Sequence, residues 1–391
     1  MPTEPASPRP QASIPVFRPY IDADTFDAAR ESLELGWLGM GSYVHRFEQD
    51  LSSYLELPKH RVLVAVNTGT SALHLALKVA GVGPGDEVIT PALNNIGDFQ
   101  AIGMCGARSV FADIRENDLG IDVESAERVM GPRVKAVIAL HYMGVPCDLY
   151  GVHRFAEEHG LRVIEDAAHA TGTRHDEGMI GASGDLTCFS FDAIKTLTCI
   201  DGGAIVTSNP GEAESLFPAR LLGMTQSNER LYSNSRAYAY DVEDQGYRYH
   251  LANLHAAIGL SQLRKLPQFI ENRRAYARAY NEALAEVDGI VVPETSFGDV
   301  SVFHYVIRVL NGRREELANH LRKEGVETGI HWVPGNRLSW LQDCRGAGQL
   351  PLTDQIGEEI LTLPLWSFMG EDVIARVIGS IQSYFARQER G

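Results

Sequence analysis

The feature that most constrains the fold is a regular alternation of short apolar segments with helix-like segments between residues 60 and 208. Segments with helical apolar spacing include residues 71–80, 100–105 and the stretch from residue 151. The strand-like segments between them are 61–67, 87–90, 109–112, 136–141, 161–165, 186–191 and 203–207. Near-continuous apolar strands that alternate with helices are typical of a mostly parallel sheet covered on both faces. The pattern predicts an α/β fold.

The pattern changes beyond residue 253, where long helices are predicted over residues 254–263 and 269–287. A strand over 303–309 and helices over 314–324 and 371–388 then predict a second, smaller α+β unit. We therefore expect a flexible N-terminal lead-in, rich in Pro and Ser, over residues 1–15. A large domain over 16–265 and a small C-terminal domain over 266–391 follow it.

Charge and composition exclude several classes of function. The chain has 35 Lys and Arg against 51 Asp and Glu, and its formal charge of −16 repels the phosphate backbone of nucleic acids. No apolar run approaches the ~18 residues that a membrane span needs. The five cysteines are scattered without a C-x-x-C pair, which favours a reducing cytoplasm over disulfides or a metal centre. The glycines at 81–85 follow a helix, so they indicate a turn rather than a dinucleotide site.

The segment 67–71 combines Gly69 with the hydroxyl residues Thr68, Thr70 and Ser71 between a predicted strand and a predicted helix. Such a helix N-terminus exposes backbone N–H groups to an anion, which predicts a phosphate site. A simple helix N-cap by Thr70 or Ser71 is the alternative.

Asp166 stands where a buried strand is predicted to end, the usual place for functional side chains in open α/β sheets. A buried acid needs a cationic or hydrogen-bonding partner. That partner is either the protonated ring nitrogen of a cofactor or the N-terminus of the next helix.

Lys195 lies at the edge of an apolar strand–turn segment that begins at Cys188. Burial lowers the pKa of an amine and leaves it able to attack a carbonyl group. A lysine whose stem packs on a phenylalanine is the alternative.

The three candidates together match one cofactor. A phosphate site, a carboxylate for a ring nitrogen and an activated lysine are the groups that pyridoxal 5'-phosphate (PLP) requires. The combination therefore predicts a PLP enzyme.

The chain also resembles the DegT/DnrJ/EryC1/StrS family of sugar aminotransferases over about residues 17 to 385. The motifs that carry the resemblance lie at residues 67–74, 83–89, 164–169, 189–195, 202–206, 246–263, 328–332 and 361–365. The resemblance implies the fold of type I aminotransferases. That fold has a large domain with a mostly parallel, mixed seven-stranded sheet, a smaller C-terminal α+β domain, and a homodimer with active sites at the interface.

The resemblance also implies roles for individual residues. Lys195 would form the Schiff base with the cofactor, Asp166 would pair with its ring nitrogen, and His169 would lie beside its O3 oxygen. The phosphate would be bound by Gly69, Thr70, Ser71 and Ser190, and substrate contacts are expected from His331 and Trp332.

The sequence departs from the family pattern at two positions. Asn95 stands where relatives place an aromatic residue on the pyridine ring, so we expect it to contact the cofactor or the substrate by hydrogen bonds. Arg248 stands where relatives often place an Asn that reaches the cofactor phosphate of the partner subunit. A guanidinium there would make a stronger, bidentate contact.

The function implied by the resemblance is transamination, with the cofactor passing through its pyridoxamine 5'-phosphate form. The amino group would come from glutamate and go to the keto group of a nucleotide-linked keto-deoxysugar. A keto-cyclitol or another polyhydroxy ketone is the alternative acceptor, and a non-catalytic PLP-binding regulator is the alternative outside catalysis.

Overall fold

The structure is a computed structural model, and it describes residues 13–176, 178–236 and 239–388. Residues 1–12 of the expected flexible lead-in lie outside this range. Ile14, within the same lead-in, is buried, and its backbone N–H donates to the Gly325 carbonyl at 2.8 Å.

The twelve strands are β1 (Val62–Val66), β2 (Glu87–Pro91), β3 (Arg108–Ala112), β4 (Val134–Leu140), β5 (Arg162–Asp166), β6 (Arg174–His175), β7 (Gly178–Met179), β8 (Leu186–Ser190), β9 (Gly203–Thr207), β10 (Ile290–Val291), β11 (Tyr305–Val309) and β12 (Ile360–Leu363) within the described ranges. The helices of the first part of the chain are α1 (Ala23–Glu34), α2 (Ser42–Tyr54), α3 (Gly69–Val79), α4 (Ile96–Met104), α5 (Val123–Arg128), α6 (Leu149–His159), α7 (Pro210–Ala219), α8 (Asn228–Tyr232) and α9 (Asn253–Leu263). The remaining helices are α10 (Leu266–Leu284), α11 (Arg314–Lys323), α12 (Pro351–Glu359) and α13 (Glu371–Gln388), with 3-10 turns at Tyr142–Gly144 and Gly335–Arg337.

The central sheet has seven strands in the order β1-β9-β8-β5-β4-β2-β3. Strand β9 runs in the direction opposite to the other six strands, so the expected mixed, mostly parallel sheet is confirmed. Alternate side chains of β1 enter different cores: Leu63 and Ala65 face one, whereas Val64 and Val66 face the other. The sheet is therefore covered by apolar layers on both faces, as its uninterrupted apolar strands predict.

Helix α4 corrects one of the predicted boundaries. The sequence pattern places its start at residue 100, whereas the helix begins at Ile96. Asn95 makes the earlier start possible because its side-chain oxygen accepts the Gly97 N–H at 2.7 Å. The polar run at 94–98 resembles a loop in composition, but it forms the first turn of this helix.

The second unit contains the antiparallel sheet β10-β11-β12 and a core of its own. Helix α10 belongs to both parts of the molecule, since Leu266 and Ile270 pack in the core of the large sheet while Tyr280 and Leu284 pack in the second core. Arg273, in the middle of this helix, is fully buried. The division of the chain at residue 265 stays a prediction, and that residue immediately precedes this shared helix.

Candidate active site

A cavity of about 420 Å³ opens where strands β5 and β8 end and where helices α3 and α4 begin. Parallel strands bring their carboxyl ends to one edge of a sheet, so this is the expected place for a site in an open α/β fold. Its wall is formed by Thr68, Gly69, Thr70, Leu73, Asn95, Gly97, Asp98, Asp166, Ala168, His169, Ser190, Asp192, Ile194, Lys195, Asp201, Phe303, His331 and Trp332. Most of the residues predicted from the sequence therefore lie around one cavity.

Lys195 lies in the loop between β8 and β9. Its backbone N–H donates to the Asp192 carbonyl at 3.0 Å and so forms a turn. Its Nζ stands 4.1 Å from the centroid of the Phe303 ring. Removal from water lowers the pKa of this amine to about 8, although Asp166 and Asp192 favour the charged form. A substantial fraction of Lys195 is therefore a neutral, nucleophilic amine near pH 8.

Asp166 is the last residue of β5 and is only 2% exposed. Its Oδ1 accepts the Ala168 N–H at 2.9 Å. Burial raises the pKa of this carboxyl group, whereas the Ala168 N–H and the charge of Lys195 oppose the rise. Asp166 thus supplies a buried carboxyl group for a cationic partner inside the cavity.

The N-terminus of α3 forms another part of the wall. Thr68 caps the helix by accepting the Ser71 N–H at 2.9 Å, whereas the N–H groups of Gly69 and Thr70 have no acceptor among the described residues. A Cβ on Gly69 would lie 2.8 Å from Cβ of Ser190, so only glycine allows this approach to the end of β8. The unpaired N–H groups and the helix dipole make this corner suitable for an anion.

The second unit contributes an aromatic wall. The His169 ring stacks between Phe303, at a centroid distance of 4.5 Å, and Trp332, at 5.1 Å. Burial lowers the pKa of His169 well below its usual value, and its Nδ1 has no hydrogen-bond partner among the described residues. His331 is held by a 2.8 Å hydrogen bond between its Nδ1 and Thr362 Oγ1, and burial lowers its pKa to about 4. These histidines are neutral at pH 7.

Comparisons with known proteins identify the family of the chain. The model of the DegT/DnrJ/EryC1/StrS aminotransferase family matches residues 19–382. The chain belongs to this family. It is an aminotransferase.

Individual relatives cover nearly the whole aminotransferase chain. The Bacillus subtilis spore coat polysaccharide biosynthesis protein SpsC is 35% identical over 377 residues, which are 94% of this chain and 96% of that protein. The aminotransferase TlmJ from Streptoalloteichus hindustanus is 33% identical with a TM-score of 0.88, over 96% of this chain and 100% of that one. The sugar aminotransferase CalS13 from Micromonospora echinospora is 27% identical with a TM-score of 0.85, over 95% and 99% of the two chains.

Two predicted site residues do not line the cavity of this aminotransferase. Ser71 points away from it, because its hydroxyl donates to Asn67 Oδ1 at 2.7 Å. Arg248 lies in a separate depression with Arg236 and His250. A phosphate contact by the Ser71 hydroxyl is therefore not supported by this geometry. The contact predicted for Arg248 is with the cofactor of the partner subunit, and it stays a prediction.

Asn95 lines the cavity, but its side-chain oxygen is occupied in capping α4. The structure therefore gives this residue a definite local role besides the cofactor or substrate contact that the sequence predicts.

Sequence reasoning missed Asp98, Phe303 and the neighbouring His304. Asp98 is 1% exposed and lines the cavity, and Asn94 donates to its Oδ2 at 2.8 Å. In the sequence, the indication was that Asn94 and Asp98, two polar residues four positions apart, stand at the start of an apolar helix, where such residues contact each other. His304 is fully buried, with no hydrogen-bond partner for either ring nitrogen among the described residues.

No helix within the described ranges is both long enough and apolar enough to cross a membrane.

Proposed function

We propose that the chain is a PLP-dependent aminotransferase that moves an amino group from glutamate to the keto group of a nucleotide-linked keto-deoxysugar. One observation carries the proposal: the amine of Lys195, the buried carboxyl of Asp166 and the unpaired N–H groups of α3 face one cavity in a member of an aminotransferase family. The names of two relatives, one in polysaccharide biosynthesis and one a sugar aminotransferase, support a sugar as acceptor.

The residues around the cavity fit PLP. Gly69 leaves open a space that a Cβ would fill, next to N–H groups suited to a phosphate. Asp166 is buried, and an ionised carboxylate at such a position costs free energy unless a cation lies beside it. A protonated ring nitrogen is such a cation. The unpartnered Nδ1 of His169 offers a hydrogen bond to a polar substituent of the ring.

The cofactor, when bound, supplies an aldehyde that condenses with amines and a protonated ring that accepts electrons from the substrate. Lys195 provides the neutral amine and afterwards accepts and returns a proton at its Nζ. Asp166 holds the proton on the ring nitrogen. The aromatic wall of His169, Phe303 and Trp332 excludes water from this side of the cavity.

The test combines spectroscopy with an acceptor panel. Purified protein is titrated with PLP, and the absorbance band of the bound cofactor is followed on addition of glutamate. A shift of the band with release of 2-oxoglutarate supports transamination, whereas a band that glutamate does not change favours a PLP-binding regulator. Turnover is then compared between nucleotide-linked keto-deoxysugars and keto-cyclitols. Preference for keto-cyclitols would overturn the proposed acceptor but leave the aminotransferase intact.

We also propose a homodimer in which Arg248 reaches the cofactor phosphate of the partner subunit. Large apolar side chains are exposed in α1 and in loops, including Phe26, Leu38, Ile200 and Val242, which supports burial against a second copy. The absence of Arg248 from its own cavity supports a contact made across the interface.

Mixing inactive Lys195→Ala and Arg248→Ala subunits tests the shared site. If Arg248 acts in the partner, one site of each mixed dimer carries both lesions and the other carries none, so activity is partly recovered. Verified mixed dimers with no recovery count against this arrangement.

A further inference from the structure

The cavity holds a second buried carboxyl group whose role neither the family motifs nor the proposed function explains. Asp98 lies in the first turn of α4, faces the cavity and is within hydrogen-bonding reach of the Asp166 carboxyl group. The two residues are 1% and 2% exposed. Two carboxylates this close and this deeply buried cannot both be charged without a large cost in free energy.

The hydrogen bonds around the pair require one more proton. Asp98 Oδ2 accepts from Asn94, and Asp166 Oδ1 accepts the Ala168 N–H. Asp98 Oδ1 is buried and has no hydrogen-bond donor among the described residues. A proton on Asp98 that is shared with Asp166 gives both carboxyl groups a favourable contact, because a protonated acid is a hydrogen-bond donor.

The surroundings determine which carboxyl group keeps the proton. The charge of Lys195 and the Ala168 N–H stabilise the ionised form of Asp166, and the hydrogen bond from Asp98 does the same. Burial and the charge of Asp166 raise the pKa of Asp98 well above its ordinary value. Two further titratable groups lie near the pair. His141 lowers the pKa of Asp166. Burial and the charges of both acids raise the pKa of the Cys188 thiol. These surroundings favour the proton on Asp98 over Asp166.

We propose that Asp98 is a positioning residue that remains protonated and donates a hydrogen bond to Asp166, so that Asp166 meets the ring nitrogen of PLP as a correctly oriented carboxylate. The role toward PLP rests on the proposed function. Asn94 completes a chain of hydrogen bonds that runs from the start of α4 to the end of β5. The neutral acid holds Asp166 without adding a second negative charge to the cavity.

Two substitutions separate this role from simple packing. Asp98→Asn keeps a donor toward Asp166 and an acceptor for Asn94, whereas Asp98→Leu keeps the approximate size and removes both. We expect PLP affinity within about threefold of wild type for Asp98→Asn and at least tenfold weaker for Asp98→Leu. Asp118→Asn, at another buried acid outside the cavity wall, is the matched control, and it should leave PLP affinity unchanged.

Infrared spectroscopy of the protein without added PLP gives a readout independent of cofactor and activity. The difference spectrum between wild type and Asp98→Asn at pH 7 should contain the C=O stretching band of a protonated carboxylic acid. A difference spectrum with only carboxylate bands overturns the proposal, as does equal PLP affinity in Asp98→Asn and folded Asp98→Leu. If wild type shows the acid band but never binds PLP, the proposed function fails while the protonated pair stands.

Discussion

The N-termini of α3 and α4 both face the cavity, yet they differ in their hydrogen bonds and in the charge of their first turns. In α3 the N–H groups of Gly69 and Thr70 have no acceptor within the described ranges, and no acidic residue lies in the first turn. In α4 the side chain of Asn95 accepts the Gly97 N–H, and Asp98 occupies the first turn. The helix dipole has the same direction in both. Because the dipole is common to both, we expect the cap and the first-turn side chains to decide whether the N–H groups stay available to an anion.

The largest expected effect concerns Lys195, which faces the same cavity as both helix ends. Lys195→Ala should lower turnover by at least about a thousandfold, because the proposed nucleophile and proton carrier is lost. Lys195→Arg is the matched control: it retains a cation but not a neutral amine, and it should be equally inactive. Steady-state rates measure both, and activity within tenfold of wild type in either variant would falsify the assignment.

The second prediction uses the pKa of Lys195, which burial lowers to about 8. An amine of pKa about 8 is half neutral at pH 8, so it should react with an amine-selective reagent about a hundredfold faster than a lysine of ordinary pKa, about 10.4. The rate at Lys195 should rise as pH rises through 8 and then level off. Mass spectrometry of peptides from protein without PLP measures this profile, with the surface Lys135 as reference. A profile at Lys195 that parallels Lys135 contradicts the prediction.

The third prediction compares one glycine in each helix end. A Cβ on Gly69 would meet Cβ of Ser190 on a buried strand at 2.8 Å, and it would intrude on the proposed phosphate site. A Cβ on Gly97 would lie 2.9 Å from Asn95 Oδ1 and 3.1 Å from Thr70 Oγ1, and both atoms are side-chain ends that can rotate away. Overpacking of a rigid site costs about 1–3 kcal/mol, which is roughly 5- to 150-fold in affinity. Gly69→Ala should therefore weaken PLP binding at least about fivefold and Gly97→Ala less than threefold. Equal losses in a PLP titration would remove the distinction between the two helices.

The smallest effect concerns the two caps. Thr68→Ala and Asn95→Ala should each lower the free energy of unfolding by about 1 kcal/mol, because each removes the acceptor for a first-turn N–H. Thr68→Ala should also weaken PLP binding, since it loosens the helix end that holds the phosphate in our proposal. Serine at either position keeps a side-chain oxygen and serves as control. If Asn95→Ala also weakens PLP binding, Asn95 contacts the cofactor or its surroundings directly.

The sequence predicted the parts of the molecule that depend on local pattern. The seven strands of the central sheet were recognisable because each is a short apolar run, whereas β6, β7, β10 and β12 were not predicted. Asp166 and Lys195 stood out because chemistry-bearing side chains adjoin such runs. The contact between Asp98 and Asp166 was not predictable in the same way. The two residues are on different elements, and their approach depends on how α4 packs against α3 and the sheet.

The aromatic wall shows the same limit. Phe303 and His304 precede a strand of the second unit and resemble ordinary core residues in sequence. Only the packing of that unit against the large sheet brings the Phe303 ring under the Lys195 amine.

Helix α10 has a consequence for how the molecule responds to stress. It is 19 residues long, or about 28 Å, and its ends are anchored in two different cores. At its midpoint the Arg273 guanidinium donates to the Phe303 carbonyl at 2.7 Å and to Ser367 Oγ at 3.1 Å. Unfolding of either core alone would fray helix α10 and free the Phe303 ring from its position beside the Lys195 amine. The two units should therefore unfold in a single cooperative step, and heat should abolish the catalytic pocket and the global fold together.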